Sequence, residues 1–241
     1  MSKPITLKEK YFTGYSLIDL GYRDYIAARF LLNNRFIIQG LTLASTAVEK
    51  YLKALIVLTS EEKEKYYYHF DNLEKLKAIL AKSNSDVTEK FDPVFLNILE
   101  NAFKIRYYDR IEKPIFIGFF INQFIGELDY TIDSLETFVL KTQKNETPYR
   151  RAIESKDPHL LENNFVLKKQ NKKDFMEKPD DGFSIYISIG SSTQRENMVV
   201  GKGIVNKYEG SLSLFTEFQP KWSVQAYATT ITSSSDKKHQ A

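Results

Sequence analysis

The strongest pattern in the chain is a helical repeat of apolar positions that runs through roughly its first 140 residues. It is clearest in "RFIIQGLTLASTAVEKYLKALIVL", residues 35–58, where apolar side chains recur at three- and four-residue spacing and so share one helix face. These are Ala44, Ala47, Val48, Tyr51, Leu52 and Leu55. Small side chains on this segment, including Gly40, would let a second helix approach closely.

Four further segments show the same period, and helices are predicted over residues 16–34, 69–80, 91–106 and 119–140. Asp92 followed by Pro93 is typical of a capped helix start, because the missing N–H of proline costs nothing there. The last segment carries a stripe of seven apolar residues: Ile121, Phe124, Ile125, Leu128, Ile132, Leu135 and Val139. Five helices with mostly short connections predict an up-and-down bundle of four to five helices.

The pattern changes near residue 141. Residues 146–180 are polar and lysine-rich, which predicts a linker with room for one short helix. The basic cluster "KKQNKK" (168–173) within it indicates a solvated segment or, alternatively, a nucleic-acid contact. Residues 183–189, 211–218 and 221–232 indicate strands, and residues 198–210 a turn around Gly201 and Gly203 between short strands. The predicted class is therefore α+β: a helical bundle (1–145), a linker (146–180) and a small β-rich region of unknown role (181–241).

The amino-acid composition limits the kinds of functional site that the chain can contain. The chain has no cysteine, which excludes disulfides, thiol catalysis and Cys-ligated metals. Its net charge of +3 permits a nucleic-acid partner without indicating one. The beginning of the sequence lacks the apolar core of a secretory signal, and the longest apolar stretch, "IFIGFFINQFIG", is too short and too polar to cross a bilayer. We therefore expect a cytoplasmic protein with no membrane contact, no metal and no cofactor.

Several motifs in the helical part resemble one family. "ASTAVEKYLKALIVL" (44–58) resembles the second-helix signature of HEPN domains (higher eukaryotes and prokaryotes nucleotide-binding), and the preceding "DYIAARFLLNNRFIIQG" is similar to their first helix. "YHFDNLEKL" is similar to the His-Asp-Leu element that opens the third helix, although Phe70 separates His69 from Asp71 here. "IRYYD" stands where many members have an Arg-Tyr pair. The resemblance covers residues 14–140.

The resemblance implies a bundle of four to five helices, commonly a homodimer. Many members of this family are metal-independent ribonucleases, toxins or defence proteins. Others bind RNA, a nucleotide or a protein partner, often beside a nucleotidyltransferase. The active members carry an arginine followed four to six residues later by a histidine, and both face a cleft at the dimer interface.

Arg106 matches the family's arginine, but no histidine follows it: the next residues are Tyr107, Tyr108, Asp109 and Arg110. Acid–base cleavage of RNA needs a group that titrates near neutral pH, usually histidine. Asp109 is a poor substitute, because the two neighbouring arginines favour its charged form. This departure from the family motif predicts that the chain does not catalyse RNA cleavage.

The sequence thus predicts a non-catalytic or degenerate HEPN-like module. It would bind RNA, a nucleotide or a protein partner in a bacterial stress, toxin–antitoxin or defence setting. The predicted contact residues are Arg106, Tyr107, Arg110 and Lys113.

Three alternatives stay open. The chain could be a ribonuclease in which Arg106 works with His69 or with a base from a partner chain. It could be a structural dimerisation protein whose contact is made by residues 35–58 and 119–140. Arg106 itself could be structural, with its stem buried and its guanidinium paired to a carboxylate of a neighbouring helix.

Overall fold

The protein is described here by a computed structural model that covers residues 6–59, 73–83, 85–106, 115–143, 146–176, 178, 182–189 and 196–202. Most of this part of the chain is helical, with one small sheet, which confirms the α+β class. In chain order the elements are α1 (Leu7–Asn33), α2 (Ile37–Thr59), α3 (Leu73–Ser83), α4 (Ser85–Thr88), α5 (Pro93–Ile105), β1 (Ile115–Phe120), α6 (Ile121–Gln143), α7 (Pro148–Glu154), α8 (Pro158–Leu161), α9 (Lys172–Met176), β2 (Gly182–Ile189) and β3 (Glu196–Lys202).

Helix α2 lies at the centre and packs against α1, α3, α5 and α6. All six residues of its predicted apolar face are fully buried, so that prediction is confirmed. Close approach to α1 depends on Gly40, where an added Cβ would lie 2.6 Å from Cγ of Leu32. The small residue predicted to admit a neighbouring helix does so here.

Helix α1 begins at Leu7, well before the predicted start at Ser16. The reason is a capping box formed by Thr6 and Glu9, which the apolar periodicity does not indicate. The Oγ1 of Thr6 accepts a hydrogen bond from the Glu9 backbone N–H at 3.2 Å, and the Thr6 N–H donates to the Glu9 carboxylate at 2.7 Å. Two otherwise unpaired N–H groups are thereby satisfied at the true N-terminus of the helix.

Helices α5 and α6 form as predicted. Asp92 is the N-cap of α5, accepting from the Phe95 N–H at 2.8 Å, and Pro93 is its first residue. The apolar stripe of α6 is buried along its whole length. Phe124 of α6 contacts Phe95 of α5 with ring centroids 5.2 Å apart, which fixes the two helices against each other.

The strand β1 was not predicted. Its sequence, "IFIGFF", is a short apolar run that suits a buried strand as well as a helix, so periodicity alone does not distinguish them. It pairs antiparallel with β2, placing Ile117 opposite Ile185 and Phe119 opposite Phe183, and all four side chains are buried in the main core. The sheet therefore crosses the boundary predicted between the helical part and the β-rich region.

Strands β2 and β3 complete the sheet in the order β1-β2-β3, with both pairs antiparallel. The predicted strand over 183–189 is confirmed. The predicted turn at Gly201 is wrong, because β3 continues through Gly201 opposite Ser184. Gly203 and the strands predicted over 211–218 and 221–232 lie outside the described residues.

Residues 146–180, predicted as a polar linker, contain the short helices α7, α8 and α9. Tyr149 and Leu160 are fully buried in the main core. Phe165, Phe175 and Met176 form a second, smaller cluster with Tyr130 of α6. Most of this segment is therefore part of the packed structure.

Within the described segments, no helix combines the length and the apolar content that crossing a bilayer requires.

Replacing Leu160 by alanine tests whether α8 belongs to the core. Because Leu160 is fully buried, we expect the free energy of unfolding in urea to fall by about 2–5 kcal/mol. Leu161→Ala is the matched control, since Leu161 is only partly buried and should lose clearly less. Equal effects of the two substitutions would contradict the packing of this segment.

Candidate nucleic-acid interface and the buried carboxylates

Arg106 lies at the C-terminal end of α5, where it is the C-cap residue. Its backbone N–H donates to the Phe103 carbonyl at 3.2 Å. The side chain is exposed, and its guanidinium carbon lies 4.6 Å from the centroid of the Phe103 ring. This differs from the structural alternative, which expected the stem to be buried: while Ala102 and Ile105 face the core, Arg106 faces outward.

A second cation, Lys104, is exposed on the same helix turn. Its ammonium group lies 3.4 Å from Oδ1 of Asn101, whose amide in turn donates to the Asn97 carbonyl at 3.0 Å. Positive charge at this end of a helix is favourable because the carbonyl end of the helix dipole is negative. The end of α5 thus presents two cationic side chains, one of them held over an aromatic ring.

The other predicted contact residues, Tyr107, Arg110 and Lys113, lie outside the described residues, as does the candidate base His69. His159 is exposed on α8. The basic cluster 168–173 is not wholly solvated. Its Lys172 makes an ion pair with Glu127 of α6 at 2.6 Å, so one lysine of the cluster serves packing.

Three acidic side chains on α6, none of them predicted as site residues, are fully buried: Glu127, Asp129 and Glu136. Asp129 accepts a hydrogen bond from the Tyr25 hydroxyl at 2.8 Å and makes an ion pair with the buried Arg29. Burial raises the pKa of Asp129, while the Arg29 guanidinium acts in the opposite direction. Arg29 also donates to the backbone carbonyl of Glu162, which ties α1 to the end of α8.

Glu136 and Asp133 extend this network toward α7. The Glu136 carboxylate accepts from the Tyr51 hydroxyl and from the Thr147 hydroxyl, each at 2.6 Å. Asp133 accepts from the Tyr149 hydroxyl at 2.9 Å. Both oxygens of Glu136 are occupied by neutral donors and the residue is fully buried, so it is placed to hold helices together rather than to meet a substrate.

Glu127 stands apart from this network. It is fully buried, and burial raises the pKa of its carboxyl from 4.5 to about 7, with Lys172 opposing the shift and Asp92 adding to it. The Lys172 ammonium also lies 4.6 Å from the centroid of the Tyr130 ring. Next to this pair, an added Cβ on Gly126 would lie 3.0 Å from Met176. The ion pair and the small glycine together dock α9 on α6.

A weak signal for these carboxylates is present in the sequence. Tyr25 and Arg29 fall on the same face of α1 as Ile18 and Leu32, which places polar groups on an apolar face. Such groups require buried partners. The spacing does not tell which acidic residues of the chain supply them.

Among the described residues, no group of three or more acidic or histidine side chains is arranged to hold a metal ion. No family model, no curated protein and no solved structure matches this chain.

Asp129→Asn tests the buried ion pair. The substitution leaves the Arg29 guanidinium buried without a counter-charge, so we expect the free energy of unfolding to fall by about 3–5 kcal/mol in urea denaturation. Glu146→Gln is the control, because its contact with Arg151 is long and exposed and should contribute less than about 1 kcal/mol. A loss at Asp129 as small as the control's would contradict the role of this pair.

Glu127 should make stability depend on pH. Because its folded pKa is raised, the folded state holds a proton that the unfolded state has lost between pH 4.5 and about 7, and the free energy of unfolding falls as pH rises through that window. The contribution is up to about 3 kcal/mol. We expect Glu127→Gln to flatten this dependence in urea denaturation at a series of pH values.

Glu74→Gln is the control for the pH series, since the Glu74 side chain is about half exposed and should leave the wild-type slope in place. Parallel curves for Glu127→Gln and the wild type would show that Glu127 does not titrate in this window.

Proposed function

We propose that the chain is a non-catalytic HEPN-like module that binds RNA, with the C-terminal end of α5 as a contact. The observation that carries the proposal is Arg106, which is exposed, has its guanidinium carbon 4.6 Å from the centroid of the Phe103 ring, and lies beside a second exposed cation, Lys104. Single-stranded RNA is commonly held by phosphate contacts to cationic side chains and by stacking of bases on aromatic rings and guanidinium planes.

The family assignment within this proposal rests on the motifs of residues 14–140. The long α1 and α2 carry two of those motifs and pack against each other along their length, which agrees with the expected first and second helices of the bundle. Arg106 ends α5, as the family's arginine closes its helix. The proposal is thus supported by sequence motifs and by the arrangement of the helices that contain them.

We expect RNA binding without cleavage because Arg106 cannot act as a general base. An arginine can stabilise phosphate charge, but it does not accept the 2′-hydroxyl proton at neutral pH. The buried carboxylates of α6 are engaged inside the bundle and offer no replacement base. A ribonuclease activity would need His69 or a group from another chain.

The exposed position of Arg106 also favours RNA over a purely structural role for this residue. Its guanidinium carbon lies 4.6 Å from the centroid of the Phe103 ring, and exposed guanidinium groups are common donors to phosphate oxygens. The Phe103 ring and the exposed ammonium group of Lys104 beside Arg106 suit a flexible, negatively charged strand better than an apolar protein surface.

Arg106→Ala tests the binding site. We expect the Kd for a labelled single-stranded RNA to rise about 5- to 10-fold and the salt dependence of binding to weaken, because one phosphate contact is lost. The melting temperature should stay close to that of the wild type, since the side chain is exposed. Arg151→Ala is the matched control: Arg151 is an exposed arginine on α7, and its loss should leave the Kd unchanged.

The same RNAs, incubated with the wild type in EDTA, separate binding from catalysis. Intact RNA together with weakened binding by Arg106→Ala is the expected result. Cleavage by the wild type that disappears in both Arg106→Ala and His69→Ala would instead establish the ribonuclease alternative. Equal binding by the wild type and Arg106→Ala would refute the proposed site.

A further inference from the structure

A groove beside α1 has no part in the RNA proposal. It has a volume of about 380 Å³ and lies between α1 and the turn that joins α7 to α8. Small-molecule sites in proteins have volumes of roughly 300–1,000 Å³. The groove is therefore large enough for a small organic molecule, and Arg106 is not among the residues that line it.

Helix α1 supplies an apolar side of the groove. Tyr22, Ile26 and Phe30 follow one another at four-residue spacing, so they form one row along the helix, and Ala27 lies next to them. Tyr22, Ile26 and Ala27 are half-buried, whereas Phe30 is 57% exposed. Two aromatic rings and two aliphatic side chains thus face the groove from this helix.

The turn before α8 supplies the other side with Asp157 and His159. Oδ1 of Asp157 accepts a hydrogen bond from the His159 backbone N–H at 2.9 Å, and the Asp157 N–H donates to the Ala152 carbonyl at 2.8 Å. The position of this carboxylate is therefore fixed by the backbone around it. Its second oxygen has no hydrogen-bond or ion-pair partner within the described part of the chain.

The two sides of the groove are fixed relative to each other. Arg29 of α1 donates to the Glu162 carbonyl at the end of α8, and Leu160 of α8 is fully buried in the main core. Tyr22 also contacts Tyr149 of α7, with ring centroids 6.4 Å apart. Because the groove is already formed, a ligand can bind there at little conformational cost.

The charges in the groove favour a cation. Arg23 also lines it, but its guanidinium makes an ion pair with Asp19 at 2.9 Å, while Asp157 keeps its negative charge available. Burial, and after it the Asp157 carboxylate, raise the pKa of Tyr22 to about 12, so this charge acts on the aromatic side of the groove. A carboxylate beside aromatic rings attracts a cation and repels an anion.

We propose that this groove binds a free aromatic amine, a small molecule that carries an aromatic ring and a primary ammonium group. The ammonium group binds the second oxygen of Asp157, and the ring packs against Tyr22, Ile26 and Phe30. A neutral aromatic molecule would leave the carboxylate without a counter-charge, and an aliphatic ammonium ion would leave the aromatic row uncovered. The amine satisfies both sides of the groove. The proposal is independent of RNA binding at Arg106.

Three probes with the same ring and chain and with different charges test the proposal on the full chain. Phenethylamine is a cation, phenethyl alcohol is neutral, and hydrocinnamate is an anion. Their Kd values are measured by NMR titration of the backbone amides at about pH 7.5, where ordinary histidine side chains are mostly neutral. We expect the amine to bind about 3- to 5-fold more tightly than the alcohol, as for a partly exposed ion pair, and the anion to bind most weakly. The His159 amide signal should shift, because its N–H is bonded to Asp157.

Asp157→Asn tests the ion pair. Asparagine keeps a side-chain oxygen for the His159 N–H, so the turn is preserved while the charge is removed. We expect the Kd of phenethylamine to rise to that of the alcohol and the Kd of the alcohol to stay unchanged. Asp174→Asn is the matched control, since Asp174 is exposed on α9 and does not line the groove.

Phe30→Ala tests the position of the ring. All three probes should bind about 3- to 10-fold more weakly, because an aromatic contact is lost. Phe36→Ala is the control: Phe36 is 55% exposed, does not line the groove and should leave every Kd unchanged. Unshifted amide signals away from the groove show that each variant is folded.

Four results would overturn the proposal. Phenethylamine could fail to shift the groove amides at millimolar concentration, or it could bind no more tightly than the alcohol. It could also keep its advantage over the alcohol in Asp157→Asn, or its Kd could be unaffected by Phe30→Ala. Tightest binding of hydrocinnamate would contradict it as well and would assign the groove to an anion.

Discussion

The ion pair between Arg29 and Asp129 is the interaction on which the arrangement of the helices depends. Both residues are almost completely inaccessible to solvent, and each charge would be very costly there without the other. Arg29 can satisfy Asp129 and the Glu162 carbonyl together only if α1, α6 and the end of α8 hold one relative position. The hydrogen bonds to Glu136 and Asp133 add α2 and α7 to the same constraint. Apolar packing gives the bundle its stability, and this polar network gives it a specific geometry.

That geometry decides what remains on the surface. The inner face of α1 packs against α2 and the carboxylates of α6, so Phe12 and Phe30 on its other face are exposed. The end of α5 is placed differently: its core side chains stop at Ile105, and the next residue, Arg106, is already exposed. The charged residues are divided between the interior and the surface. Buried acidic residues are concentrated on α6, whereas the exposed cations Lys104 and Arg106 lie at the C-terminal end of α5.

Periodicity predicted the long helices well. In an amphipathic segment such as 35–58 the apolar face has to be buried, and this requirement can be read from the segment alone. Periodicity failed where the deciding partner is distant in sequence. "IFIGFF" is a strand because β2 pairs with it, and Tyr149 and Leu160 are core residues because the bundle leaves space for them. The candidate Arg106 was found from a motif, and its outward orientation depends on the last turn of α5. The burial of the α6 carboxylates was not predicted, because acidic residues on a helix are usually solvated. Their burial is stabilised by tyrosine and arginine partners that are distant in the sequence.

The pairing of β1 with β2 also sets an order of events during biosynthesis. Ile117 is made long before Ile185, yet the two face each other in the sheet. While the intervening helices emerge from the ribosome, the apolar segment β1 has no strand to pair with its backbone N–H and C=O groups, although the helices beside it are already able to pack. Such an unpaired edge is prone to non-native association. The chain therefore passes through a stage in which most of its helical core can form while its sheet cannot, and the arrival of β2 ends that vulnerable period.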